Sequence, residues 1–180
     1  MFSRSIKIVS LSALVFAFFG TVEANDAAKL FKKDVGTWDC EVKVYSDPSS
    51  PPAVSKGVET NIMIGEHWLI SHFKGSVMGA DFEGSSQNGY DANTSKFIGT
   101  WIDSMSPHSM KTEGTWDEKT QTLTSSGVSK DPTGTEMKNK MTVVYKSDGT
   151  RNFTMFAIVN AAEVKMMEIK YTKAADKSNK

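Results

Sequence analysis

From Gly36 onward the chain alternates apolar and polar residues with period two, in segments of about ten residues. In GTWDCEVKVY, Trp38, Cys40, Val42 and Val44 share one face of an extended strand, and Thr37, Asp39, Glu41 and Lys43 share the other. Similar segments follow at roughly 56–64, 67–76, 81–91, 96–104, 109–117, 120–128, 136–147, 151–160 and 163–172. Turn-forming residues separate them: the Pro/Ser stretch SDPSSPPAVS, then Gly65-Glu66, Met78-Gly79-Ala80, DANTS, MSPH, DEK, DPTGT, SDG and NAA. One stretch has helical spacing instead. NDAAKLFKKDVG puts Ala27, Phe31 and Val35 on one face and ends at Gly36, which predicts a short helix before the first strand.

About ten consecutive strands with short connections describe an antiparallel meander. Left open, so wide a sheet exposes two edges and an apolar face. Closed, it is an all-β up-and-down barrel, with the helix plugging one end. Antiparallel neighbours pair at a constant index sum, so each loop length assigns the faces. A two-residue turn at Gly65-Glu66 pairs Ile64 with His67. It sends Val58, Thr60 and Ile62 inward with Leu69, Ser71 and Phe73, and leaves Glu59 and His72 as a solvent pair. A four-residue loop at MSPH pairs Asp103 with Met110, Gly99 with Gly114 and Phe97 with Trp116, so that Phe97, Trp101, Asp103, Met110 and Trp116 face in. Phe82, Gly84, Ser86, Asn88 and Tyr90 face in because Asp81, Glu83, Ser85 and Gln87 make the wetter side. Lys138, Lys140 and Lys146 mark an outer face, which places Met137, Asn139, Met141, Val143 and Tyr145 inside. In the last hairpin, if Phe153 and Met155 face in, Met166 and Glu168 do too.

The tripeptide GTW occurs at 36–38, 99–101 and 114–116, too irregularly for a structural repeat. Each occurrence sets an indole beside a residue with no side chain on the same strand face, which is how barrel interiors alternate large and small. Ser71, Gly84, Ser86, Gly99, Gly114 and Gly127 are more small residues than packing around a few indoles requires. Ten strands also enclose more space than the eight that suffice for one small ligand. A hollow interior is expected.

Composition narrows the context. Residues 1–24 read as a cleavable export signal: Arg4 and Lys7 lead, an apolar run spans Ile8 to Phe19, and Val22-Glu23-Ala24 has the small residues of a cleavage site. A single barrel domain over 25–173 and a frayed tail at 174–180 are expected, with export to the periplasm or beyond. Of the chain's 21 basic and 21 acidic residues, removal of the leader leaves 19 and 20, well interspersed. Nucleic acid and acidic membrane partners would need a basic stripe, which the sequence lacks, and no membrane insertion is expected once the leader is gone. Cys40 is the only cysteine, so no intramolecular disulfide forms, and its alternation with Trp38 and Val42 marks it as a small buried hydrophobe.

VGTWDCEVKVY resembles the opening of lipocalin-like barrels, where a short helix leads into a Gly-x-Trp strand. KGSVMGADFEGSSQNGYD, GTWIDSMS, EGTWD and KMMEIKYTK together resemble the bacterial domain of unknown function 1579, a calycin-type barrel family, over roughly residues 29–173. The resemblance implies the barrel fold and no established activity. Relatives often carry a histidine in the segment before GTW, and NDAAKLFKKD has none, which weakens any transferred metal or haem site.

Candidate chemistry is sparse. Asp103 and Glu168 are the acids placed inside, where a carboxylate needs a partner or a proton. They are read either as groups that orient a ligand or move a proton, or, for Asp103, as a rim residue capping the MSPH loop. His67, one of three histidines, is placed near Tyr90, Ser71, Ser86 and Asn88. No pair of histidines has HExxH spacing, so zinc is not expected. The late-strand methionines read as adaptable gap-fillers before copper ligands. The leading reading is a non-catalytic exported barrel that binds a small apolar or amphipathic molecule and needs no cofactor. Trp38, Phe97, Trp101, Met110, Trp116 and Met166 would line its pocket, and His67, Asn88, Tyr90, Asp103 and Glu168 would orient the guest. The alternatives are an acid–base hydrolase or isomerase using Asp103, Glu168 or His67, and a haem carrier of the nitrobindin kind using His67. Oligomeric state is left open.

Overall fold

The computed structural model describes residues 24–47, 49–131 and 133–175. The expected leader falls outside the described residues except for Ala24, and so do residues 176–180 of the expected tail. Helix α1 (Ala24–Asp34) leads into β1 (Gly36–Val44), β2 (Ala53–Ile64), β3 (Trp68–Val77), β4 (Ala80–Asp91) and β5 (Lys96–Asp103). Then come β6 (Ser106–Asp117), β7 (Thr122–Lys130), β8 (Glu136–Tyr145), β9 (Arg151–Val159) and β10 (Ala162–Lys173). Each strand pairs antiparallel with its sequence neighbours, and β1 pairs with both β2 and β10, which closes the barrel and removes its edges.

Helix α1 lies across the end where β1 begins. Ala27, Leu30 and Phe31, three or four residues apart on one helical face, are buried against Leu69 and Phe97, with Met63, Tyr90, Trp116, Leu123 and Tyr145 around them. The Phe31 ring meets Phe97 edge-on at 5.7 Å. A second cluster rises from there along the β1 wall: Trp38, Cys40, Val42, Phe73 and Tyr171, flanked by Phe82, Trp101, Phe153, Met167 and Ile169.

Three hairpins differ from the registers expected above. Between β2 and β3 the turn holds three residues, Gly65, Glu66 and His67, and Ile64 pairs with Trp68. The extra residue inverts β2: Glu59, Asn61 and Met63 face in, while Val58, Ile62 and Ile64 are exposed outside. Between β5 and β6 the turn is only Ser104-Met105, with Asp103 opposite Ser106, and an irregularity between Asp103 and Trp101 then pairs Trp101 with Met110, Gly99 with Thr112 and Phe97 with Gly114. That is a slip of two residues, which preserves the faces but separates Gly99 from Gly114; it also places His108 in a strand instead of a loop. In the last hairpin the pairing next to the turn is as expected, but a bulge between Lys165 and Met167 inserts Met166. Beyond it Met167 and Ile169 stand opposite Met155 and Phe153, and Glu168 moves to the outer side.

Candidate functional site

The helix end of the interior is organised by one cation. Arg151, the first residue of β9, is only 4% exposed, and its guanidinium pairs with both Asp34 at the end of α1 and Glu59 on β2. The guanidinium carbon lies over the rings of Trp38 and Tyr171 at 4.5 and 4.2 Å. Around the pair, Tyr145 donates its hydroxyl hydrogen to Asp34 Oδ2 at 2.8 Å, and Trp38 Nε1 donates to the Asp34 carbonyl at 2.7 Å. Asn61 Nδ2 donates to that same carbonyl and to Glu59 Oε1, at 3.0 and 2.9 Å. Burial raises both carboxyls above their usual range, against the opposing pull of Arg151. Burial alone would lower Arg151, but Asp34 and Glu59 more than reverse it and hold the guanidinium charged. Beside the cluster, burial first and Glu59 second push the Cys40 thiol up to about 12. One guanidinium thus serves two carboxylates, and the ensemble clamps α1 to β2, β8 and β9.

Toward the opposite end the interior loosens. Phe82, Trp101, Phe153, Met155, Met167 and Ile169 all sit at inward positions and are only partly buried. A side chain that faces inward yet keeps accessible surface borders space wide enough for water. Met141, Met155 and Met167 form one rung across β8, β9 and β10. The Trp101 indole lies over Gly84, where a Cβ would come within 2.3 Å of its ring, and stacks on Phe82 at 6.4 Å. Gly84 is therefore the small residue that accommodates Trp101; the glycine of Trp101's own GTW meets Asn88 and Thr112 instead. Asn88 Nδ2 donates to Ser86 Oγ at 2.8 Å. Asn139, 2% exposed, donates through Nδ2 to Ser129 Oγ at 2.8 Å and to the Met137 carbonyl at 3.0 Å.

The barrel wall has a seam next to these groups. The β6–β7 ladder runs from Asp117 opposite Thr122 to Thr112 opposite Gly127 and stops there, although β6 reaches back to Ser106 and β7 on to Lys130. A cleft of about 680 Å³ lies along the parting, lined among others by Pro107, His108 and Lys111 from β6, Gly127 and Lys130 from β7, and Glu136. On the inward side of the seam, Met110 Sδ stands 3.8 Å from Asn139 Nδ2.

The residues singled out from sequence divide into three groups. Trp38, Tyr90, Phe97 and Trp116 face in but belong to the packed helix end. Trp101, Asp103 and Met110 face in toward the looser end, and Asn88 faces in between the two ends, opposite Leu69 of the helix-end core. His67, Met166 and Glu168 do not join them. His67 is exposed in the β2–β3 turn, because that turn holds three residues and not two. Met166 is the bulge residue of β10. Glu168 accepts from Tyr45 Oη at 2.5 Å and Lys165 Nζ at 2.6 Å on the outer face, and Lys165 first and Tyr45 second hold its carboxyl below the usual range. Asp103 faces in and also caps its turn: Oδ2 accepts from Trp101 Nε1 and Oδ1 from the Met105 backbone N–H, both at 2.9 Å. The Trp116 indole likewise donates to Glu118, two residues on, at 2.6 Å. Both later GTW tripeptides thus carry their own acceptor in the form W-x-Asp or W-x-Glu.

Sequence reasoning missed the Asp34–Arg151–Glu59 clamp. One signal was available. Apart from Arg4 in the expected leader, Arg151 is the only arginine among many lysines, and a lone arginine suits a buried, forked pairing with two carboxylates.

The sequence matches the family described as "Protein of unknown function (DUF1579)" over residues 23–173. No curated protein matches it. Among solved structures, a redesigned β-barrel is similar in shape at a TM-score of 0.40 and 14% identity, covering 82% of this chain and 96% of that one.

Proposed function

Because the chain belongs to the DUF1579 family, a membership that carries no activity, we propose from the geometry that it is a non-catalytic barrel that takes a small apolar or amphipathic molecule into its looser half. The supporting observation is the set of inward aromatic and thioether side chains that keep accessible surface around Trp101 and the Met141–Met155–Met167 rung. Methionine linings adapt to guests of different shape, and the polar groups among them are few, as in small-molecule sites generally. The helix end, packed and clamped, forms the floor. The seam between β6 and β7 offers a lateral way in.

Acid–base catalysis finds less support. Asp103 serves Trp101 and Met105 at the rim, Glu168 is tied to Tyr45 and Lys165 outside, and His67 is in a turn. Three groups that do not meet share no reaction, and His67 in an exposed turn is poorly placed to hold haem inside the barrel. Export is part of the proposal, and it rests on the leader sequence at 1–24.

Titration with Nile red, a neutral dye that brightens in apolar surroundings, tests the proposal. We expect saturable binding, weakened at least severalfold by Trp101→Ala in a variant whose circular dichroism is unchanged. Native mass spectrometry of protein taken from its host should show a retained small molecule. A dye response that never saturates would sink the binding function.

A further inference from the structure

Given that binding reading, on which it rests, we infer that the guest is a neutral amphiphile carrying a hydrogen-bond donor, an alcohol or an N–H amide, and that Asn139 is the residue that reads it. Fatty acids and other anions are discriminated against.

The first support is the charge on the inner wall. Among the described residues, the cations at inward strand positions are Arg151 and Lys173, and both lie at the helix end. Arg151 is held by Asp34 and Glu59, so its charge is already matched within its own cluster. Lys173 lies over the Trp38 ring, and its Nζ donates to the Val35 carbonyl. Arg151 is thus matched by its own acids, and Lys173 is engaged at the helix end, away from the looser half. Asp103 adds a carboxylate at the opposite rim. The lysines of the seam, Lys111 and Lys130, share that cleft with Glu113 and Glu136. An anionic head group would leave water for a wall that offers it no counter-charge, and burying an unpaired charge is strongly unfavourable.

The second support is independent. The Nδ2 hydrogens of Asn139 are directed to Ser129 and Met137, with the Met110 sulfur nearby, while its Oδ1 is buried with no hydrogen-bond partner among the described residues. Buried polar atoms are almost always paired, so an unpaired acceptor on an inward residue beside the seam marks where a donor belongs. An amide oxygen accepts from O–H or N–H and repels a carboxylate. Asn61 also has an unpartnered Oδ1, but it lies within the clamp beneath α1, where its amide hydrogens serve Asp34 and Glu59. Asn139 sits two residues from Met141 on the same strand face, so a donor held there continues into an apolar body along the methionine rung.

The test is displacement of Nile red from the mature protein at mildly alkaline pH by dodecanol, dodecanoate and dodecyl methyl ether, which share a chain and differ in the head group. Dodecanol should bind about tenfold more tightly than dodecanoate, and about five- to tenfold more tightly than the ether, which has no donor. Asn139→Leu should remove the preference for the alcohol over the ether and leave Nile red, which has no donor, bound as before. If that variant does not fold, the comparison of alcohol with ether on the unaltered protein decides. Equal binding of dodecanoate and dodecanol, or of alcohol and ether, overturns this inference while Nile red binding upholds the pocket. Absence of any Nile red binding overturns the pocket itself.

Discussion

A single guanidinium joins residues that are 92 and 117 positions away from it in the sequence, Glu59 and Asp34, and the surrounding side chains take their properties from that junction. Removing two carboxylates and a guanidinium from water is costly. It is tolerated because Tyr145 and Asn61 hydrogen-bond the acids and two aromatic rings cover the cation. Cys40 lies within reach of the same field. With its thiol pushed up to about 12 by burial and by Glu59, almost none of it is thiolate near neutrality, and the thiolate is the reactive form. Iodoacetamide at about pH 8 should therefore leave native protein unmodified over a period that labels it completely in guanidinium, as read by intact mass. Rapid native labelling would show that the cysteine is neither buried nor suppressed.

At the level of elements, β2 is the strand whose face matters most and misleads most. Its apolar residues Val58, Ile62 and Ile64 face out, and Glu59 and Asn61 face in. Ile62→Lys, at a position 56% exposed, should cost no more than about 0.5 kcal/mol in urea unfolding. Met63→Lys, which puts a charge against the α1 core, should cost about 3 kcal/mol or more. The opposite ranking would restore the two-residue turn and reject the register. The contrast shows what the sequence made legible. Strands β1, β4, β6 and β8 each have one clearly wet face, so alternation orients them and Asn88 and Met110 follow, while Trp101 on β5 follows from its pairing with β6. Strand β2 is apolar on the outside, and its inside carries an acid and an amide because the clamp needs them there, a need that arises on β9. The bulge at Met166 is equally invisible to alternation, since one inserted residue shifts the phase without changing composition. Asn139 was legible as an inward residue; its open acceptor was not, because that depends on which neighbours consume its hydrogens.

Over the whole molecule the barrel divides into a clamped helix end and an opposite end whose inward side chains are only partly buried, and its carboxylates divide into two classes with opposite pH signatures. Asp47, Asp91, Asp117, Asp131 and Asp148 sit in turns and accept hydrogen bonds from residues two to four places on, which hold them below the usual range. Depressed in the fold, they stabilise above the unfolded values and lose that contribution as pH falls through the folded ones. Asp34 and Glu59 are raised, by burial first, above reference values of 3.8 and 4.5. For a raised acid the sign reverses: its contribution is fully present below the unfolded value and is lost as pH rises through the folded one. The floor should therefore loosen as pH rises, the reverse of the turns, because one guanidinium then faces two ionised carboxylates. Thermal melting from about pH 2.5 to about pH 8 separates the two classes. Glu59→Gln keeps an acceptor for Arg151 and Asn61 and removes one of the two titrating acids. Its Tm should fall less than that of the unaltered protein as pH is raised across that window, while the acid-side loss due to the turn aspartates is the same in both. If the two profiles run parallel on the rising side, Glu59 is ionised in the fold throughout, and the clamp carries its excess negative charge at every pH in the range.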